Sequence, residues 1–192
     1  MIIGRYKKAA LAVLVGGMLL MAGCGNEGID DSFVFGKTRV HYGRDTITLE
    51  APFELGVGRT ASDLSSIGPS LVAAGENKNI QIVVSGKKVS DGWDVSVAKQ
   101  DALSKITEDS MHISHLNVQN EQVMLGNISA EVLTFSFTET SRSEPVDLTI
   151  TEYIFASGDT IWRVIYQYRT HDPIGQALME RIAGHISEGT TF

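Results

Sequence analysis

Cysteine is almost absent from this chain of 192 residues: Cys24 is the only one, which excludes a disulfide within the chain. Clusters of positive charge are missing too. The 16 lysines and arginines are outnumbered by 23 acidic residues, and after residue 23 the only adjacent basic pair is Lys87–Lys88. Because contact with nucleic-acid phosphates requires clustered lysine and arginine, the composition predicts no nucleic-acid partner.

Complete catalytic and cofactor motifs are also lacking. Gly56 and Gly58 are not followed by the third glycine of a dinucleotide-binding loop. Neither a Gly-x-Ser-x-Gly nucleophile elbow nor a His-Glu-x-x-His zinc motif occurs in the sequence. We therefore predict no cofactor, no resident metal and no enzymatic activity.

The N-terminal segment has three regions of distinct composition. Arg5, Lys7 and Lys8 form a basic start, residues 9–21 are apolar apart from two glycines, and small residues precede Cys24. This order is typical of an export signal peptide. A retained transmembrane helix is the alternative, but the apolar stretch is shorter than the roughly 20 residues that a membrane span needs.

The end of this segment, Leu-Met-Ala-Gly-Cys at residues 20–24, resembles the lipobox of bacterial lipoproteins. Met21 stands where the family most often has leucine. The resemblance implies cleavage after Gly23, a diacylglycerol on the thiol of Cys24, and anchoring of the exported chain to the cell membrane or the outer membrane. Two or three acyl chains suffice for stable anchoring, whereas one is marginal.

The chain is predicted to have three parts: a signal peptide at 1–23, a lipidated cysteine with a flexible tether at 24–38, and a single domain at 39–192. The tether prediction comes from the glycine-rich, acidic residues 25–36, which show no helical or alternating pattern. Cleavage would remove three positive charges from a chain of formal charge -7, leaving a body of about -10.

Within the domain, short alternating runs predict strands, and apolar residues at helical spacing predict helices. The predicted strands are 46–49, 80–85, 122–125, 128–139, 148–156 and 161–168, and the predicted helices are 93–109 and 173–186. Asp172 and Pro173 provide a helix start, and Gly189 a helix end. Lys99, Asp101 and Lys105 fall on the predicted solvent side of the first helix.

These elements make an α+β domain, mainly an antiparallel β-sheet packed between helices. The Gly126-Asn127 turn before the long strand 128–139, the hairpin around Gly158-Asp159 and the final helix before Phe192 resemble the PsbP/Mog1-like domains. The resemblance covers residues 39–192 and implies an α/β/α sandwich. It also implies an accessory or binding role, because most members of the family are not enzymes.

A strand-like aromatic pattern supplies the candidate ligand groove. Trp162, Tyr166 and Tyr168 share one face of their predicted strand, and together with Tyr153 and Arg169 they form one wall of the groove. The favoured interpretation of the same pattern is that these aromatics lie at the margin of a sheet covered by helices on both sides, and the groove is the functional alternative.

A second interpretation is an envelope hydrolase or a metal-binding protein that uses His112 and His115. In a strand, residues three apart point to opposite faces, so the pair needs a turn at Ser114 to converge. Ser96 and Lys99 have the Ser-x-x-Lys spacing of some acyl-transfer enzymes but lack the accompanying motifs. The favoured hypothesis is therefore a lipid-anchored, non-catalytic domain that binds an envelope protein or a small ligand.

Overall fold

The computed structural model describes residues 28–56, 70–108, 112–141 and 143–189. The predicted signal peptide, Gly23 and Cys24 lie outside them. The chain divides between residues 32 and 33 into two compact units. In the described part of the first, residues 29–32 form a short helix within the predicted tether. None of the helices in the described ranges combines the length and the apolar character needed to cross a membrane.

The second unit alternates strands and helices in the order expected for an α+β domain. Its strands are β1 (Gly36–Tyr42), β2 (Asp45–Ala51), β3 (Leu71–Glu76), β4 (Ile80–Lys88), β5 (Ile113–Leu125), β6 (Ile128–Glu139), β7 (Val146–Ser157), β8 (Thr160–Arg169) and β9 (Ile186–Glu188). Counting the short helix 29–32 as α1, its helices are α2 (Val95–Glu108) and α3 (Pro173–Ala183).

Six strands form the main sheet in the order β3-β4-β8-β7-β6-β5, and every neighbouring pair is antiparallel. The two central hairpins turn at Gly126 and Gly158, whose φ angles of 63° and 61° are accessible to glycine at little cost. The remaining strands form a small sheet in the order β1-β2-β9. The β9 strand, at the end of the chain, thereby pairs with β2 near its start.

Helix α2 covers one face of the main sheet. Ala98 and Ala102 of the helix pack against a buried cluster on β6, β7 and β8. The sheet residues of that cluster are Leu133, Phe135, Phe137, Ile154 and Ile161. Small residues on the helix and large ones on the strands allow a close approach, so this layer holds much of the apolar core.

The opposite face carries Trp162, Val164, Tyr166 and Tyr168 of β8, because alternate residues of a strand point to one side. Tyr42 of the small sheet meets Trp162 edge-on, with ring centroids 6.4 Å apart. Helix α3 contacts β2, β4 and β8. The predicted fold class, a mainly antiparallel sheet between helices, is therefore confirmed, with the small sheet sharing one of the covering layers.

Several element assignments differ from the sequence prediction, which contained neither β1 nor β3. Strand β1 begins at Gly36, three residues before the predicted domain boundary, and β5 runs back from Leu125 to Ile113. Helix α3 ends at Ala183 with Gly184 as its C-cap, since residues 186–188 leave the helix and extend the small sheet.

Candidate functional site

The aromatic residues predicted to line a groove are mostly core residues. Trp162 and Tyr166 are 0% exposed and Tyr168 is 9% exposed, so these three side chains share a face as predicted but do not form an open wall. Tyr153 is half-buried and meets Tyr166 edge-on, with centroids 5.9 Å apart. Arg169 is exposed and alternates to the other face.

The same core contains polar atoms without a partner in the described part of the chain: Trp162 Nε1, Tyr166 OH and Thr151 Oγ1. Burial raises the pKa of Tyr166 far above its ordinary value. Burial, followed by the charge of Glu121, also raises the pKa of Tyr153. Both phenols therefore stay protonated at neutral pH, which suits a packing role better than general-base chemistry.

An open cleft of about 360 Å³ lies on the α2 side of the sheet. Its lining residues are Tyr42, Ser70, Ser85, Gly86, Lys87, Asp91, Trp93, Asp101, Lys105, Ile161 and Arg163. Strand β3 pairs with β4 only as far as Ser85, so in the described ranges residues 86–88 pair with β8 alone. The backbone at Gly86 lies against the Tyr42 ring, since a β-carbon there would be 2.9 Å from it.

An ionic network forms one wall of the cleft. Arg163 Nη1 donates to Asp101 Oδ2 at 2.8 Å, and Arg163 Nε donates to Glu152. Burial alone would lower the pKa of Arg163, but the charges and hydrogen bonds of the two carboxylates raise it. Lys105 adds a contact of 2.9 Å to Asp101. The guanidinium, 14% exposed, is therefore fixed in orientation and permanently charged.

Lys87 and Trp93 also line the cleft. The ammonium nitrogen of Lys87 lies 3.7 Å from the centroid of the Trp93 ring, which is cation–π geometry. The cleft thus presents an aromatic surface, three cations and the acceptors Asp91 and Asp101 in one small volume. Such a mixture of fixed donors, acceptors and apolar surface suits binding of a polar ligand or a segment of protein chain.

Most of this cleft was not predicted from sequence. Helical spacing assigned Lys99, Asp101 and Lys105 to solvent, but Asp101 turns to Arg163, and Lys99 reaches Glu131 on the sheet at 2.8 Å. Long side chains at the border of an apolar stripe can turn back to the sheet, which periodicity does not register. The one available signal was a charged residue, Arg163, between the apolar residues Trp162 and Val164.

The histidine interpretation gains no support from the described residues. His112 and His115 are both exposed, and a bulge between Ser114 and Asn117 interrupts the ladder at this point. His171 Nε2 lies 3.3 Å from Asp147 Oδ2, an exposed pair. Within the described ranges, no three histidine, cysteine, aspartate or glutamate residues are placed to share a metal ion.

The Ser-x-x-Lys spacing also lacks a catalytic geometry. Ser96 is exposed at the start of α2. The amine of Lys99 is directed to Glu131, with the nitrogen and the carboxylate oxygen 2.8 Å apart.

Comparison with solved structures identifies the fold. LpqN, involved in cell envelope biogenesis of Mycobacterium tuberculosis, matches with a TM-score of 0.50 and 13% identity over 86% of this chain and 99% of its own. Cyanobacterial PsbP (CyanoP) from Synechocystis matches with a TM-score of 0.53 and 9% identity over 87% and 98%. The Saccharomyces cerevisiae Ran-binding protein Mog1p gives a TM-score of 0.45 and 14% identity over 80% and 96%.

No protein-family model and no curated protein sequence matches the chain. At these identities, the structural similarity with a TM-score of 0.50 or above shows a shared PsbP-like fold.

Proposed function

We propose that this chain is a lipid-anchored protein of the bacterial cell envelope whose α+β domain is a non-catalytic binding module. The cleft beside α2 is its binding surface, and the occupant is a small polar ligand or a segment of another envelope protein. The observation that carries this proposal is the combination of a fixed guanidinium, a cation–π pair and free volume in one place. It replaces the aromatic groove as the expected binding site.

Three features support anchoring in the envelope. The basic start, the short apolar stretch and the small residues before Cys24 have the order of a lipoprotein signal. The body is acidic, so a lipid is a better tether than attraction to anionic headgroups. A structure of the same fold belongs to LpqN, which takes part in cell envelope biogenesis.

The chemistry of the cleft supports a binding role. Two of its cations are already paired with a carboxylate, since Arg163 and Lys105 both contact Asp101. General acid–base catalysis needs a group that can exchange a proton near neutral pH. Among the residues that line the cleft, there is no histidine to serve that purpose.

The anchor is tested by Cys24→Ser in the native cells. We expect the unmodified chain to incorporate a labelled fatty acid, to lose residues 1–23 and to partition into detergent. The variant should keep its signal segment and incorporate no label, because a serine hydroxyl cannot form the thioether. Retention of Met1 in the unmodified chain, or unchanged processing in the variant, would refute the anchor.

The cleft is tested by photo-crosslinking in intact cells. A photoreactive amino acid replaces Asp91, which lines the cleft. In a control variant it replaces Gln100, which is exposed on α2 and is not among the residues that line the cleft. We expect one specific adduct from position 91, and its loss when Lys87→Glu reverses a charge in the cleft. Equal labelling from both positions would refute the cleft. Hydrolytic activity abolished by His112→Ala would refute the non-catalytic role.

A further inference from the structure

Strand β5 forms one edge of the main sheet, with β6 as its sole partner in the described part of the chain. It is 13 residues long, and residues 115–122 are exposed without interruption. An edge strand presents unpaired N–H and C=O groups along its outer side, which can extend the sheet with another strand. A row of this length is therefore a large potential pairing surface.

The other edge of the same sheet is protected. Strand β3 has only six residues and a register shift between Leu71 and Ala73. Gly56 covers part of its outer side, since Gly56 N donates to Ala74 O and Ala74 N donates to Gly56 O, both at 2.9 Å. Short length, a bulge and a covering segment are common ways of blocking edge pairing. Only the bulge recurs on β5, at one end.

The side chains of β5 do not protect the edge by charge. Glu121 is its only acidic residue, and the strand contains no lysine, arginine or proline. Four amides occupy its middle: Asn117, Gln119, Asn120 and Gln122. Three apolar residues are exposed beside them: Leu116, Val118 and Met124, the last 63% exposed. In a chain of formal charge -7, this strand is a long segment with little charge to repel a second acidic copy.

We propose that β5 pairs antiparallel with β5 of a second copy of this chain, joining two six-stranded sheets into one. Antiparallel pairing of identical strands creates a two-fold axis, so each copy uses the same residues. A register centred on Asn120 places Glu121 opposite Gln119 of the other copy and avoids two facing carboxylates. It also places Val118 of one copy opposite Gln122 of the other, so that the exposed Val118 side chain is covered.

The bulge sets the length of this contact. The inner ladder with β6 shifts register between Ser114 and Asn117, and His115 there has a φ of 56°. Regular pairing of the two copies is therefore confined to residues 117–125, so the Asn120 centre leaves a symmetric paired segment at 117–123. This pairing does not depend on the cleft or on the anchor.

The test is cysteine crosslinking of the full-length chain in native membranes. In the proposed register, a cysteine at position 120 lies directly opposite the cysteine at position 120 of the second copy. Two cysteines at position 118 are instead four residues apart, about 13 Å along the strand. After mild oxidation we expect Asn120→Cys to give at least tenfold more disulfide-linked homodimer than Val118→Cys. The unmodified chain and Gln100→Cys on α2 are the background controls.

A second variant separates pairing from random collision. Val118→Lys/Gln122→Lys, added to Asn120→Cys, places like charges opposite each other twice in the proposed register, and should reduce the homodimer at least tenfold. In a control, Ser96→Lys/Gln100→Lys is added to Asn120→Cys and brings the same charge to exposed positions of α2. The amount of homodimer should then be unchanged. Circular dichroism checks that both variants fold. Homodimer from Asn120→Cys no greater than from Gln100→Cys, or adducts only with a different protein, would overturn the proposal.

Discussion

At the scale of single residues, Arg163 connects the core to the cleft. Its guanidinium joins Glu152, which is 4% exposed, to Asp101 on α2. A buried carboxylate is tolerated when a partner compensates its charge, and loss of that partner is costly. The ion pairs therefore attach α2 to the sheet in one orientation and also shape the wall of the cleft.

Replacing this arginine tests the first of those roles. Arg163→Met keeps much of the apolar length but leaves Glu152 without its cation, so we expect a loss of about 3 kcal/mol in the free energy of unfolding. Arg163→Met/Glu152→Gln should recover a large part of the loss, because no buried charge is left uncompensated. Urea denaturation of the single and double variants measures both effects. Equal stability of the two variants would show that the ion pair is not the cause.

A second residue-scale prediction concerns acid stability. Asp45 Oδ2 accepts hydrogen bonds from Lys88 Nζ at 2.7 Å and from Thr160 Oγ1 at 2.5 Å. Burial alone would raise the pKa of Asp45, but these bonds and the charge of Lys88 lower it. The carboxylate thus stabilises the fold above its unfolded pKa of about 3.9, and the stabilisation is lost as the pH falls through the lower folded value.

Asp45→Asn should accordingly be less stable than the unmodified protein at pH 7, by about 2 kcal/mol for hydrogen bonds to a charged group. The difference should shrink below about pH 4 as the native carboxylate is protonated. Thermal unfolding between pH 2.5 and 7 measures it. Glu144→Gln, which removes a carboxylate at an exposed position, serves as the control. A stability difference between Asp45→Asn and the unmodified protein that grows as the pH falls would contradict the assigned role of Asp45.

At the scale of elements, the two hairpin turns offer a matched comparison. Gly126 and Gly158 have nearly equal positive φ angles, but only Gly158 is crowded. A β-carbon at residue 158 would lie 2.3 Å from Asp45 Oδ1, whereas one at residue 126 meets nothing within 4 Å. The turn at residue 158 is therefore packed against the small sheet, and the turn at residue 126 is not.

Alanine at both turns separates backbone strain from packing. Gly126→Ala should cost about 1 kcal/mol through its left-handed conformation alone. Gly158→Ala should cost at least twice as much, because the same strain is joined by displacement of Asp45 from Lys88 and Thr160. Chemical denaturation of the two variants gives the comparison. Equal costs would mean that the Asp45 side chain moves away without penalty.

Elements with a strong local signal were predictable. The alternation of Leu133, Phe135 and Phe137 predicted β6, and the Asp172 cap of α3 is confirmed by a hydrogen bond of 3.0 Å from Ile174 N to Asp172 Oδ1. Strand β9 was missed because its three residues carry no period of their own. They become a strand only by pairing with β2, and only Ile186 of the three is buried.

At the scale of the whole molecule, the cleft could not be predicted because it has no contiguous sequence. Asp101 approaches it from α2, Trp93 from the residues just before that helix, and Lys87 from β4. Arg163 comes from β8, 62 residues after Asp101 in the chain. Binary patterning indicates which side of each element is apolar but not which elements become neighbours. The order β4-β8-β7, with a late strand inserted beside an early one, decides that.

Strand β9 completes the small sheet by pairing with β2, and we expect this pairing to form late in folding. Pairing of β9 with β2 joins residues at opposite ends of the domain, and the chain entropy lost in closing so long a loop delays such contacts. Ile186, 3% exposed, should therefore gain its native contacts after the folding transition state, unlike Leu133 in the local β5–β6 hairpin.

Ile186→Ala should destabilise the domain by about 3 kcal/mol. If its contacts form late, nearly all of this loss appears as faster unfolding, about a hundredfold at that magnitude, with the folding rate almost unchanged. Leu133→Ala, a comparable deletion in the buried hairpin, should instead slow folding as well. Stopped-flow folding and unfolding in urea compares the two variants. Slower folding of Ile186→Ala with unchanged unfolding would place the small sheet in the folding nucleus, since a residue already packed in the transition state changes the folding rate alone.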